Sequence, residues 1–295
     1  MFKRMYRLAA ALALSLAAST TMAQAPIVVG GKNFTEQQLV AEMTSRLLQS
    51  SGFKVDKRAG MGTAVLRAAQ ENGQIDVYWE YTGTSLINFH KVTESLTAEQ
   101  SYLRVKELDA AKGLVWLNPS AANNTYAIAM RQDHAQSLGI RTISDLAAAV
   151  RKGDKLRFAS NAEFFSRADG LRPMQQRYGF EFPREDIKRM DTGLTYQALK
   201  DNQVEVALVF ATDGRVPAFN FVILGDDRGF FPSYALTPVV RAAVLKANPK
   251  LGERLNALSA KLDDKTMARL NASVDVEKRS IESVAEGFLK QAGLI

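Results

Sequence analysis

The chain has 295 residues, 38 of them basic and 31 acidic, for a formal net charge of +7. It contains no cysteine, so a disulfide scaffold and a thiolate metal site are excluded and stability has to come from an apolar core. Setting aside the basic Lys3, Arg4 and Arg7 leaves 35 basic against 31 acidic residues, about +4, too mild and dispersed to suit nucleic acid.

The first 23 residues read as a targeting segment. Lys3, Arg4 and Arg7 precede an apolar run from Leu8 to Ala18, and the small residues of Thr21-Met22-Ala23 suit cleavage after Ala23, with Ala25 as the alternative. No later apolar run approaches the ~20 residues of a membrane span. The mature protein is therefore expected to be exported and soluble. Its length suffices for two domains.

In chain order, 27–30 reads as a short strand ending in glycine. Thr35 with Gln38 has the spacing of a capping box, and Leu39, Val40, Met43, Leu47 and Leu48 form one helical stripe closed by Gly52. A strand at 54–57, a loop at 60–62, a helix at 63–72 and a strand at 76–81 follow. In that last strand Val77, Trp79 and Tyr81 alternate with Asp76, Tyr78 and Glu80. Tyr78 and Trp79 read as core; Tyr81, at the turn, suits core or ligand equally. The pattern resumes with strands at 125–130, 156–159 and 204–210 and helices at 144–152, 167–178 and 195–202. Strand-like segments at 222–224 and 238–241 precede helices at 249–261, 264–271 and 280–291. Strands alternating with helices of this length predict an α/β fold with mostly parallel sheets. Crossings near 125 and 211 predict an inserted domain: residues 27–124 with 214–295 form the first lobe and 125–213 the second, with a cleft between.

Enzyme signatures are weak. His90 and His134 lack metal-ligand spacing and read as surface residues, and no G-x-S-x-G elbow occurs. Gly60-Met61-Gly62 lacks the third glycine of a dinucleotide fingerprint; it is a plain turn or a helix N-terminus open to an anion. Neither cofactor nor metal is expected. Aromatic residues gather instead at the strand ends and crossings, in Tyr81, Asn123-Asn124-Thr125-Tyr126, Phe210 and Phe230-Phe231-Pro232-Ser233-Tyr234. Rings converging on a cleft suit a quaternary ammonium, which has no N–H to donate. A betaine adds a carboxylate, for which an arginine fork such as that of Arg167 is suited.

Several stretches, in order, resemble the substrate-binding proteins of ABC importers for glycine betaine, choline and related osmoprotectants, the OsmF-like and ProX-like group. They include Gly30-Gly31-Lys32-Asn33-Phe34-Thr35-Glu36-Gln37, Glu80-Tyr81-Thr82-Gly83-Thr84, Asn123-Asn124-Thr125-Tyr126, Ala211-Thr212-Asp213-Gly214 and Phe231-Pro232-Ser233-Tyr234. Val239-Val240-Arg241 and Leu270-Asn271 extend the likeness, which runs from about residue 27 to the C-terminus.

The resemblance implies a bilobal periplasmic binding-protein fold of the second topological type and a monomer that delivers its ligand to membrane permease subunits. It implies an aromatic cage of Tyr81, Tyr126, Phe210 and Tyr234, with Arg167 for the carboxylate and Gln37, Thr84 and Asn124 as polar lining. Phe210 departs from the tyrosine often found there, losing a hydroxyl and keeping a π face. Other expectations compatible with the same fold are choline or another small solute as ligand, and a ligand-sensing subunit in place of an importer component. A periplasmic enzyme on this scaffold would need carboxylate acid–base chemistry.

Overall fold

The computed structural model describes residues 25–92, 94 and 96–295. The expected targeting segment lies outside the described residues. The first half of the chain runs β1 (Ile27–Lys32), α1 (Thr35–Ser50), β2 (Val55–Met61), α2 (Thr63–Glu71), β3 (Val77–Tyr81), helical turns over 82–89, α3 (Ala98–Ala110), β4 (Leu114–Trp116) and β5 (Tyr126–Arg131). It continues through α4 (Gln132–Leu138), α5 (Ile143–Lys152), β6 (Phe158–Ser160), α6 (Ala162–Ser166), α7 (Leu171–Tyr178), β7 (Ile187–Arg189), α8 (Leu194–Lys200) and β8 (Val206–Phe210). Then come α9 (Arg215–Ala218), β9 (Phe221–Ile223), β10 (Leu236–Arg241), α10 (Ala242–Ala247), α11 (Pro249–Ser259), α12 (Asp264–Asp275) and α13 (Ile281–Gln291).

These strands form two five-stranded sheets, ordered β2-β1-β3-β10-β4 and β7-β6-β8-β5-β9. Each is mixed. The strands linked through helices pair in parallel, β2 with β1 and β1 with β3 in one sheet, β7 with β6 and β6 with β8 in the other. The returning strands are antiparallel: β10 runs between β3 and β4, and β5 between β8 and β9. The α/β, two-lobed architecture is that expected from the alternation of elements.

β3 is buried along its whole length because both of its faces are covered. Trp79 and Tyr81 pack with Leu39, Val40, Met43 and Leu47 of α1, while Tyr78 packs with Leu66 and Ala69 of α2. Each aromatic ring removes on the order of 150–250 Å² from water. The polar ends are satisfied, the Trp79 indole N–H donating to Thr44 Oγ1 at 2.8 Å and the Tyr78 hydroxyl to Glu80 Oε2 at 3.1 Å. Tyr78 and Trp79 are core.

Local signals are redirected at several points. Phe34, not a side-chain donor pair, stands at the N-cap of α1, and the Thr35 hydroxyl donates to Asp275 Oδ1 at 2.8 Å. Capping boxes do occur at Thr97 with Gln100 and at Thr142 with Asp145. The helix expected over 167–178 begins later, as α7 at Leu171, and the short α6 precedes it as a separate helix. Asn161 caps α6 by accepting from the Phe164 N–H, and Arg167 stands in extended backbone at the break before α7. His90, read as a surface residue, is half-buried, its Nε2 2.6 Å from Asp109 Oδ1.

The second crossing lies later than expected. After β8 the chain touches the first lobe and turns back: β9 pairs with β5, and the Leu224 N–H donates to the Ile128 carbonyl. The first sheet is rejoined at β10, so the connections between sheets run over 117–125 and 224–235. The touch at 212–215 depends on Gly214, where a Cβ would lie 2.5 Å from both the Ala268 carbonyl oxygen and the Ala272 Cβ of α12.

Candidate functional site

The cleft between the lobes is walled by rings from five segments. Phe34 follows β1, Tyr81 ends β3, Tyr126 opens β5, Phe210 ends β8 and Tyr234 precedes β10. Tyr126 and Phe210 are register partners in the second sheet, which sets their rings side by side, centroids 5.3 Å apart. Phe34 comes from the other sheet and stacks on Phe210 at 5.3 Å and on Tyr81 at 6.4 Å. Tyr234 meets Tyr126 edge-on at 5.9 Å. Gly83 permits this approach, since a Cβ there would come 2.7 Å from the Ser233 carbonyl and 3.0 Å from the Tyr234 ring.

These rings, with Lys32, Thr84, Asn124, Glu163 and Arg167 among the other lining residues, enclose a cavity of about 20 Å³, room for about one water. A second, polar cavity of about 380 Å³ adjoins it and shares Phe34, Asn124, Glu163 and Phe210.

Cations already stand against the rings. The Arg167 guanidinium carbon lies 5.4 Å from the Tyr126 centroid, and Lys32 Nζ lies 5.0 Å from that of Tyr81. Both are ion-pair members, Lys32 buried and Arg167 half-buried. Lys32 donates to Glu80 Oε1 at 2.5 Å. Arg167 Nε and Nη2 donate to the two oxygens of Asp169, each at 2.8 Å. The remaining contacts of Arg167 cross the cleft or reach a ring: Nη2 donates to Thr84 Oγ1 at 3.2 Å and Nη1 to the Tyr126 hydroxyl at 3.3 Å. Asp169 in turn accepts from the Tyr234 hydroxyl and from Asn88 Nδ2.

A further contact spans the lobes at α2. The Thr63 backbone N–H at its N-terminus donates to Glu163 Oε1 at 3.2 Å. The glycine turn at 60–62 thus presents a helix N-terminus to an anion, and the anion is a side chain of the opposite lobe.

Of the residues expected at the site, Tyr81, Tyr126, Phe210, Tyr234, Arg167, Thr84 and Asn124 line the ring cavity. Gln37 does not. It is fully buried behind β3, where its Nε2 donates to the Trp79 carbonyl at 3.0 Å and its Oε1 accepts from the Lys32 N–H at 3.5 Å. Its neighbour Glu36 points toward the cleft instead and accepts from the Tyr81 hydroxyl at 2.7 Å and from Asn124 Nδ2 at 2.8 Å. Burial raises the Glu36 pKa, against the opposing effect of the hydrogen bonds it accepts. Burial, followed by the facing Glu36 charge, raises that of the Tyr81 phenol well above its ordinary value.

Phe34, Lys32, Glu163 and Asp169 join the cavity or its supports without having been singled out. An aromatic residue between a strand and a helix, as Phe34 is, was the available signal. Among the described residues no acidic, histidine or cysteine cluster could hold a metal ion. No described helix is long and apolar enough to cross a membrane.

Residues 25–291 match the family described as the substrate binding domain of ABC-type glycine betaine transport systems. The glycine-betaine-binding protein of Pseudomonas aeruginosa is 44% identical over 273 residues, covering 90% of this chain and 88% of that protein. The solved structure of apo YehZ from Escherichia coli, 36% identical, superposes with a TM-score of 0.67 over 92% of this chain and all of the other. A solved glycine betaine/carnitine/choline ABC transporter protein, 27% identical, reaches 0.74 over 91% of this chain and 99% of its own. With the match spanning both lobes and the cleft between them, the chain belongs to the family of substrate-binding domains of ABC-type glycine betaine transport systems, binding proteins and not enzymes.

Proposed function

We propose that this substrate-binding protein of an osmoprotectant ABC importer captures a quaternary ammonium solute of the glycine betaine type at the ring cluster. The observation that carries the reading is the convergence of five rings from both lobes on one cavity, with the Arg167 guanidinium at its edge. Tyr81, Tyr126, Phe210 and Tyr234, with Phe34 added, hold the methylated cation; each desolvated ring contact contributes about 2 kcal/mol. Arg167 and Thr84 face the carboxylate, and Asn124 closes the polar edge. Gln37 drops out of the ligand set and supports β3.

A cavity of about 20 Å³ admits a trimethylammonium group only when the rings part, so entry requires the lobes to open. Ligand then favours closure by as much as it binds the closed form better. A carboxylated ligand has to share Arg167 with Asp169, whereas choline avoids that competition. The inserted lobe extends from the Asn124 crossing to the segment before Tyr234. The protein works as a monomer in the periplasm after removal of its targeting segment and hands its ligand to membrane permease subunits. The names of the relatives support the ligand class.

Calorimetric titration of the mature protein, unfolded and refolded to strip carried-over ligand, tests this with glycine betaine, choline, carnitine and proline betaine. Saturable binding of at least one is expected. Absence of heat with all four, in protein shown to be folded, overturns the ligand assignment.

A further inference from the structure

Glu36 lies in the first turn of α1 and is 2% exposed. Its carboxylate accepts four hydrogen bonds, one from each of four segments distant in sequence. Oε1 takes the Tyr81 hydroxyl at 2.7 Å and Asn124 Nδ2 at 2.8 Å; Oε2 takes Thr212 Oγ1 at 2.6 Å and Asn271 Nδ2 at 3.2 Å. All four acceptor positions of the carboxylate are filled, and every donor is neutral.

The donors are spread across the segments where the lobes meet. Tyr81 is a cavity ring, Asn124 lies in the first connection between the sheets, and Thr212 lies where the chain leaves β8 and touches α12. Asn271, on α12, also donates to the Thr212 carbonyl at 3.0 Å, fastening that segment to the first lobe. Asn124 and Asn271 each keep a buried side-chain carbonyl oxygen without a partner, so both carboxamides are turned toward Glu36 at the expense of their own acceptors.

We propose that Glu36 is a positioning residue that couples the orientation of the Tyr81 ring to the first connection between the sheets and to the point after β8 where the second lobe touches the first, so that ring assembly and lobe closure are one step. A rotation between lobes displaces Asn124 and Thr212 relative to α1. Through the shared carboxylate, that displacement reaches the Tyr81 hydroxyl. The ligand part of the proposal rests on the quaternary ammonium reading above; the coupling itself does not.

The absence of native cysteine makes the test direct. Spin labels are placed at Lys54→Cys and Lys152→Cys, exposed positions in the two lobes, and the interlobe distance distribution is measured with and without glycine betaine and choline. Tyr81→Phe and Thr212→Val each remove one donor, from opposite oxygens. Their effects on the closure constant are expected to depart from multiplicativity by about twofold or more. Glu36→Gln, which keeps one carbonyl acceptor, is expected to fold and to reduce that coupling. Independent effects of the two substitutions, or unchanged coupling in Glu36→Gln, overturn the proposal. Should neither ligand shift the parent distribution, the ammonium reading fails, and the same cycle read on the ligand-free distribution still decides the role of Glu36.

Discussion

Asp109 and Glu36 are both buried carboxylates of the first lobe, and they are held in opposite ways. Asp109 faces a charge: Arg67 Nη1 and Nη2 donate to its two oxygens, with Trp116 Nε1, Ser85 Oγ and His90 completing the shell. Every one of those partners lies in the same lobe. Glu36 faces only neutral donors, and these come from the segments at which the lobes meet. A charge answered by a charge inside one rigid body resists change, because losing either partner leaves the other uncompensated. A charge answered by dipoles on separate segments holds its geometry only while those segments keep their places. The first arrangement builds a lobe; the second makes the site responsive to how the lobes stand.

The largest effects test the rigid member of this pair. Arg67→Met is expected to destabilise the protein by about 3–5 kcal/mol, since Asp109 is then buried unpaired. Urea unfolding measures that loss, and ligand affinity of the folded fraction should remain near the parent's. Trp79→Ala, which empties a packed site behind the cleft, should cost a similar ~3–5 kcal/mol of stability. A large affinity loss in folded Trp79→Ala protein would move that ring into the binding site.

Acid stability sharpens the contrast. Burial raises the Asp109 pKa, but the Arg67 hydrogen bonds and charge outweigh it and leave it below its usual value. The folded form therefore holds fewer protons, and this contribution is present above the unfolded carboxylate pKa and is lost as pH falls through the depressed folded value. Unfolding followed against pH should show a steeper acid loss in the parent than in Asp109→Asn.

Effects on binding are smaller. Tyr234→Ala or Tyr126→Ala is expected to weaken a quaternary ammonium ligand by ~1–2 kcal/mol or more in calorimetry, with parent-like affinity in both removing the cage assignment. Arg167→Met should lower affinity for glycine betaine more than for choline, by about 1.5–3 kcal/mol if the carboxylate bonds to the guanidinium. Phe210→Tyr is the smallest change, within about 1 kcal/mol in either direction. Phe210 already stacks on Phe34 at 5.3 Å, and a hydroxyl alters the edge of that stack more than its face.

Four of the five rings at the candidate cavity were legible in the sequence. Tyr81, Tyr126, Phe210 and Tyr234 sit at strand ends or just before a strand, where period-two patterns give way to turns, and strand ends of an α/β lobe face its cleft. Gln37 and Glu36 were not separable in this way. They are neighbours in the first turn of α1, about 100° apart around the helix, and the direction of that turn depends on how α1 lies against β3. The capping pattern at Thr35 failed for a related reason, because Asp275, 240 residues away, offered its hydroxyl a better partner.

By itself the sequence determined the α/β alternation, the covered strand β3, the absence of disulfides and the gathering of rings at strand ends, since each rests on local periodicity or on composition. Only the tertiary structure decided that β9 belongs to the second sheet, that Glu163 caps α2 from across the cleft, and that four segments share the Glu36 carboxylate. Those are contacts between residues scores of positions apart. Their partners are selected by packing and by the need to satisfy buried polar groups, and nothing within a helical turn or a strand length encodes them.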